Sequence, residues 1–203
     1  MQRYDRRTAL VIVDLQNDFA DPAGGLSVHG GANLVPIINA EIATARSAEA
    51  TIVFTQDWHP PSTPHFARDG GVWPVHCVAD TWGAELHPAL DADALAGAAR
   101  VLKGVNGEDG YSGFTTRDPL TGETAVTALE GLLRGAAIER VIVCGLATDY
   151  CVKATALDAA RLGFETAILL DAMRPVELSV GDEQRAIDEM NAAGVHSWST
   201  RMR

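Results

Sequence analysis

Apolar residues gather into short continuous runs separated by longer stretches of helical periodicity. Ala9-Leu10-Val11-Ile12-Val13 ends on Asp14, and Thr51-Ile52-Val53-Phe54 leads into Thr55-Gln56-Asp57. Arg100-Val101-Leu102 runs to Lys103, Val141-Ile142-Val143 runs towards Gly145, and Thr166 to Leu170 ends on Asp171. Runs this short, rich in β-branched residues and without polar alternation, predict strands buried on both faces. Between them the period changes. Asn33 opens a helix with Leu34, Ile38, Ile42 and Ala45 on one face and Pro36 in its first turn, where proline is tolerated. Residues 124–134 also read as helical, and Asp182 opens a last helix carrying Ala186, Ile187 and Met190. Val195 to Trp198 supplies a further short strand. Strand and helix alternating in this way predict an α/β fold, a doubly wound, mostly parallel sheet of about six strands with helices on both faces. Residues 1–203 are expected to form a single domain. Its rhythm is broken at about 58–97 by an excursion rich in Pro, Trp, His and Gly, a length that usually signals function or disorder, with the aromatic content against disorder.

Right-handed crossovers deliver the carboxyl end of every parallel strand to one edge of the sheet, where doubly wound folds bind their ligands. Asp14, Asp57, Lys103, the turn before Cys151, and Asp171 all follow such ends and are expected to be neighbours. For Asp171 a capping role is the preferred expectation. The stretch 141–163 carries the most chemistry. Its strand turns through Gly145-Leu146-Ala147-Thr148 into a helix opened by Thr148 or Asp149 and closed by Gly163. Cys151 then lies in the first helical turn, where the partial positive charge of the helix end favours thiolate over thiol.

Composition narrows the classes. With 16 basic against 27 acidic residues the formal charge is −11, and no basic block occurs. Neither nucleic acid nor an anionic membrane is an expected partner. No run approaches a membrane span, and MQRYDRRTAL lacks the apolar core of a secretion signal. Cys77, Cys144 and Cys151 are odd in number and far apart, which implies no disulfide framework and fits a reducing cytoplasm. A homo-oligomer is left open.

Two sets of side chains stand out. Asp57 and His59 lie two apart, on one face of extended chain, and His65 and His76 follow within the excursion. One carboxylate with two or three imidazoles is a ligand set for one divalent ion, zinc first, with iron or manganese as alternatives. Cys77, next to His76, points the other way in extended chain, and His29, His87 and His196 read as surface or capping residues. The second set is Cys151, Asp14 and Lys103. It offers a nucleophile, a carboxylate able to take and return a proton, and a cation for both. No G-x-S-x-G occurs, so a serine hydrolase finds no support.

The segments VDLQNDF (13–19), TQDWHP (55–60), WPVHCV (73–78), GAELHP (83–88), KGVN (103–106), YSGF (111–114) and CGLATDYCV (144–152) resemble, in order, those of the nicotinamidase/pyrazinamidase family of isochorismatase-like cysteine hydrolases. VDLQNDF and the G-x-x-T-x-x-C-V turn belong to the wider superfamily, whereas D-x-H with a later WP-x-HC marks this branch. The resemblance implies a triad of Cys151, Asp14 and Lys103, and metal ligation by Asp57, His59 and His76. His65 matches a position where many relatives carry serine and others a ligating histidine. It further implies that Phe19, Trp73 and Tyr111 surround the substrate ring. Leu146–Ala147 matches a cis bond, with the N–H groups of Ala147 and Cys151 receiving an oxyanion. The implied activity is hydrolysis of nicotinamide, and of pyrazinamide, to the acid and ammonia through a cysteine thioester, in NAD salvage. Two rivals remain: another isochorismatase-like amidase or carbamoyl hydrolase, against which the metal cluster speaks, and a non-enzymatic zinc-binding or redox-sensing protein, against which Asp14 and Lys103 speak.

Overall fold

The computed structural model describes residues 3–201. In chain order the elements are β1 (Thr8–Val13), α1 (Asn17–Ala20), α2 (Leu34–Ser47), β2 (Thr51–Asp57), α3 (Ala92–Gly97), β3 (Ala99–Lys103), β4 (Thr115–Arg117), β5 (Thr124–Val126), α4 (Leu129–Gly135), β6 (Arg140–Leu146), α5 (Lys153–Arg161), β7 (Glu165–Arg174), α6 (Asp182–Ala192) and β8 (His196–Trp198). Six strands form one sheet in the order β3-β2-β1-β6-β7-β8, and each neighbouring pair is parallel. The doubly wound sheet expected from the pattern is the sheet observed.

The side-chain period of two along β1 divides the core. Leu10 and Ile12 pack on one face with Leu34, Ile38 and Ile42 of α2, together with Phe54, Ile142 and Leu169. Ala9, Val11 and Val13 face the other way, among Leu129 and Leu133 of α4, Ala156 and Ala159 of α5 and Met190 of α6. All six residues of β1 are buried. β1 is therefore the central strand, and the winding reverses beside it: β2 and β3 extend one side, after which the chain returns to lay β6 on the other. The crevice at such a reversal opens between the carboxyl ends of the two strands. Here those ends are Asp14 and the turn leading to Cys151.

Three expectations are corrected. Residues 124–134 are not one helix. Thr124–Val126 pairs antiparallel with Thr115–Arg117 as a separate hairpin, and the helix starts at Leu129. A Thr-Ala-Val segment with an extended partner exchanges backbone hydrogen bonds with it, and weak helical periodicity does not compete. The strand expected to stop before Asp171 runs on to Arg174, past a register shift against β6 between Val143 and Gly145. Asp171 accordingly caps no following helix; its carboxylate accepts from the backbone N–H and hydroxyl of Thr200, at 2.8 and 2.5 Å, and ties down the C-terminal segment. The excursion also contains a helix. Asp91 accepts from Ala94 N–H at 2.7 Å and opens α3 within it.

Gly145 sits at φ 113, and a Cβ there would run into the backbone of Val13. Gly145→Ala is expected to lower the unfolding free energy by about 2 kcal/mol or more. Gly131→Ala, whose Cβ would meet nothing within 4 Å in α4, should instead stabilise by up to about 1 kcal/mol. Urea titration of the two variants beside wild type measures both.

Candidate active site

The crevice is built from strand ends. Asp14 follows β1 at φ 47, a left-handed conformation that aspartate tolerates better than most residues. Its N–H donates to the Thr55 carbonyl at 3.2 Å, the last rung between β1 and β2. Lys103 is the last residue of β3. Its ammonium, 1 % exposed, lies 2.7 Å from Asp14 Oδ2 and 2.8 Å from Asp57 Oδ1. Cys151 Sγ is 3.7 Å from the same nitrogen. Thr55 donates its hydroxyl to Asp14 Oδ1 at 2.6 Å, so both oxygens of that carboxylate are engaged. The structure thus brings Asp14, Lys103 and Cys151 together from three strand ends.

Cys151 does not enter a regular α-helix directly. A π-helical turn, Thr148–Val152, precedes α5, and the Ala147 carbonyl accepts from the N–H groups of both Tyr150 and Val152. The Leu146–Ala147 peptide is cis. The resting thiol also differs from the expected thiolate. Burial raises the Cys151 pKa well above its ordinary value; Lys103 opposes this, but Asp14 and Asp57 add to it. A partial charge at a helix end does not overcome removal from water beside two carboxylates.

Those carboxylates are pushed apart. Burial raises Asp14, and the nearby charge of Asp57 adds to the rise against the pull of Lys103. Burial would raise Asp57 too, but Lys103 and His59 outweigh it and hold its carboxyl well below the usual range. Two carboxylates sharing one ammonium therefore differ in role: Asp57 stays ionised, and Asp14 is the one prepared to hold a proton.

Asp57 faces two ways. With Oδ1 on Lys103, its Oδ2 lies 3.8 Å from His59 Nε2 and 3.9 Å from His76 Nε2. His59, His65 and His76 each offer a nitrogen within 4.8 Å of the others. Phe66, fully buried, packs its ring against all three imidazoles at 5.5 to 6.1 Å. The Pro74 carbonyl accepts a hydrogen bond from His76 Nδ1–H at 2.7 Å, which leaves Nε2 as the free lone pair. Burial lowers His76 and brings His65 down to about 4, so both stay neutral, the form that binds metal. His59 is 3 % exposed, yet neither ring nitrogen has a hydrogen-bond partner. A buried imidazole without partners beside two more and a carboxylate fits a cation-binding role, since coordination would satisfy what hydrogen bonds do not.

Phe19, Trp73, Tyr111, Ala147, Tyr150 and Cys151 border one pocket together with Asp57, His59, His65 and His76. Trp73 donates from Nε1 to the Tyr111 hydroxyl at 3.1 Å, and Tyr150 meets both rings edge-on at 5.0 and 5.2 Å. Every candidate site residue named from the sequence lines this pocket except Asp14 and Lys103, which lie directly behind Asp57 and Cys151, and Asp171, which lies elsewhere. Sequence reasoning missed several others. Besides Thr55, Phe66 and Tyr150, Asp18 accepts from Cys77 N–H at 2.6 Å beside His76, and Asp149 takes Val176 and Glu177 N–H at 2.9 and 2.8 Å. A run of Gln-Asn-Asp directly after a buried strand was the available signal. Cys77 and Cys144 are buried and away from the pocket lining. His29 and His196 are exposed and His87 is half-buried. No helix among the described residues is long and apolar enough to cross a membrane.

Gly104 shows how closely the cluster is held. At φ 77, a Cβ on it would meet His59 Nδ1 at 2.5 Å. Gly104→Ala is expected to displace that ring and weaken the cluster's affinity for a divalent ion by about tenfold or more, measured by chelator competition.

An isochorismatase-domain family model matches residues 8–201. The nicotinamidase of Escherichia coli K12 is 40 % identical over 202 residues, covering 92 % of each chain. The structure of Pyrococcus horikoshii pyrazinamidase in complex with zinc superposes with a TM-score of 0.82 at 39 % identity, over 95 % of this chain and 99 % of that one. PnC1 of L. infantum in complex with nicotinate gives a TM-score of 0.86 at 37 % identity, over 96 % and 93 %. With a parallel sheet reversing beside β1, a thiol, carboxylate and ammonium at that reversal, and relatives alike over nearly their whole length, the chain belongs to the isochorismatase-domain family, among its nicotinamidases and pyrazinamidases.

Proposed function

We infer that the protein hydrolyses nicotinamide to nicotinate and ammonia, with pyrazinamide as a second substrate. The observation that carries this is the joining of two groups at one aromatic pocket: Cys151, backed by Asp14 and Lys103, on one side, three imidazoles on the other, with Asp57 between them. The relatives named nicotinamidase and the neighbours in complex with zinc and with nicotinate support it.

Cys151 Sγ attacks the carboxamide carbon as its proton passes to Asp14, whose raised pKa suits it to receive one. Lys103 keeps carboxylate and sulfur in register. The N–H groups of Ala147 and Cys151 receive the oxyanion. Asp14 then protonates the departing ammonia, leaving a thioester. A water molecule deprotonated by Asp14 releases the acid and returns the proton to sulfur. Phe19, Trp73 and Tyr111 wall the ring and keep bulk water from the thioester. Asp57, His59, His65 and His76 would hold one divalent ion, zinc first, which when bound would supply a Lewis-acidic contact to the ring nitrogen and so fix the ring's orientation.

Two measurements test this. Cys151→Ala should abolish ammonia release while keeping its metal content, and Cys144→Ala and Cys77→Ala should remain active; an active Cys151→Ala removes the covalent route. Benzamide carries the scissile group without the ring nitrogen, and its kcat/KM should fall roughly 10²-fold or more below that of nicotinamide, about 2.7 kcal/mol. Equal efficiency on the two amides in the metal-loaded enzyme would show that the ring nitrogen is not read.

A further inference from the structure

β1 stops pairing with β2 one residue too early to support Asp57. The backbone register runs from Ala9 opposite Thr51 to Ile12 opposite Phe54. The last rung is the bond from Asp14 N–H to the Thr55 carbonyl. Asp14 then turns off at φ 47. In a parallel sheet the N–H and carbonyl of one residue point to the same neighbour, so those of Asp57 face the space β1 has vacated. On the β3 side its register partner Lys103 is bonded by the next residue, Trp58, whose N–H donates to the Lys103 carbonyl at 2.8 Å. Left alone, the Asp57 peptide groups would be buried without partners at the base of the candidate metal cluster.

The side chain of Gln16 fills that space. Its Oε1 accepts from Asp57 N–H at 2.8 Å, and its Nε2 donates to the Asp57 carbonyl at 2.7 Å. The second Nε2 proton goes to the Ala84 carbonyl at 2.8 Å. Gln16 is fully buried, and both its donors are used. Its own backbone is pinned through an antiparallel bridge to Leu86 and as the residue that starts α1. A carboxamide held this firmly acts as one more rung of β1. It fixes the Asp57 Cα, and with it the carboxylate divided between Lys103 and the imidazoles.

We propose that Gln16 is a positioning residue for Asp57: its side-chain amide replaces a strand rung and pre-organises that carboxylate for the metal before any metal arrives. The inference rests on the reading of Asp57 as a metal ligand. Neither donating nor accepting alone suffices, because the Asp57 peptide presents one group of each kind. A glutamate would set a carboxylate against two carbonyl oxygens, and a methionine would leave both Asp57 peptide groups unpaired, with the Ala84 carbonyl held by Gln56 alone.

Gln56 gives the control. It is 2 % exposed and donates to the same Ala84 carbonyl at 3.0 Å, so Gln56→Met loosens the 82–86 strap without touching the Asp57 peptide from this side. Zinc affinity of the full chain, read by chelator competition, should fall about tenfold to a hundredfold in Gln16→Met and Gln16→Glu. It should stay within about threefold of wild type in Gln56→Met. Hydrogen exchange of metal-free wild type supplies a readout that needs no variant to fold: the Asp57 amide should exchange as slowly as those of Val53 and Phe54. Wild-type zinc affinity in Gln16→Met, an equal loss in Gln56→Met, or a rapidly exchanging Asp57 amide each overturns the positioning role. Failure of the underlying reading looks different, since the wild-type protein itself would then bind no zinc.

Discussion

The structure turns on one buried charge. The Lys103 ammonium is removed from water at the floor of the pocket, and a cation in that position is costly unless it is paired and hydrogen-bonded. It is paired twice, with Asp14 and Asp57 at 2.7 and 2.8 Å. Taking away the ammonium would leave two buried carboxylates facing each other without a cation, and breaking a buried pair in this way costs about 3–5 kcal/mol in comparable cases. Much of the surrounding architecture serves to keep these three groups in reach. β1, β2 and β3 must lie side by side and in register, because each contributes one of them at or just beyond its carboxyl end.

The same pairing separates the chemistry into two halves that share a wall. One ammonium cannot satisfy two carboxylates equally. Asp57, supported also by His59, remains ionised and faces the imidazoles, while Asp14, deeper and held by Thr55, is raised and faces the thiol. Ligand binding and proton transfer are thereby assigned to different carboxylates a few ångströms apart. The thiol follows suit. Resting Cys151 keeps its proton, so nucleophile and base are prepared as a pair and not as a preformed thiolate.

The excursion after β2 is long because it must return three imidazoles to one point. His59 leaves directly from the end of β2, whereas His65 and His76 arrive through turns with little regular structure. Side-chain bonds hold these turns in place of a sheet or helix. Asp18 ties the backbone beside His76, Asn17 donates to the Trp82 carbonyl at 2.7 Å, and Gln16 secures Ala84. The polar residues after β1 thus do for the loop what ladder hydrogen bonds do for a strand. Phe66 closes the cluster from the far side.

The sequence alone determined the buried strands of one mostly parallel sheet and the identity of the groups at their ends, because buried strands declare themselves locally and right-handed crossovers bring one end of each to a common edge. Asp14, Asp57, Lys103 and Cys151 were legible for that reason, and His65 and His76 by their ligand chemistry and resemblance. Tertiary structure decided whatever depends on a partner distant in the chain. Thr124–Val126 is a strand because Thr115–Arg117 lies beside it, and β7 passes Asp171 because β6 offers further rungs after its register shift. Gln16 reads as an ordinary polar residue until β1 turns away and leaves the Asp57 peptide facing it. The protonation of Cys151 is of the same kind. Its place at a helix start is local, but burial and two carboxylates from other strands set its charge, and no stretch of sequence contains all three.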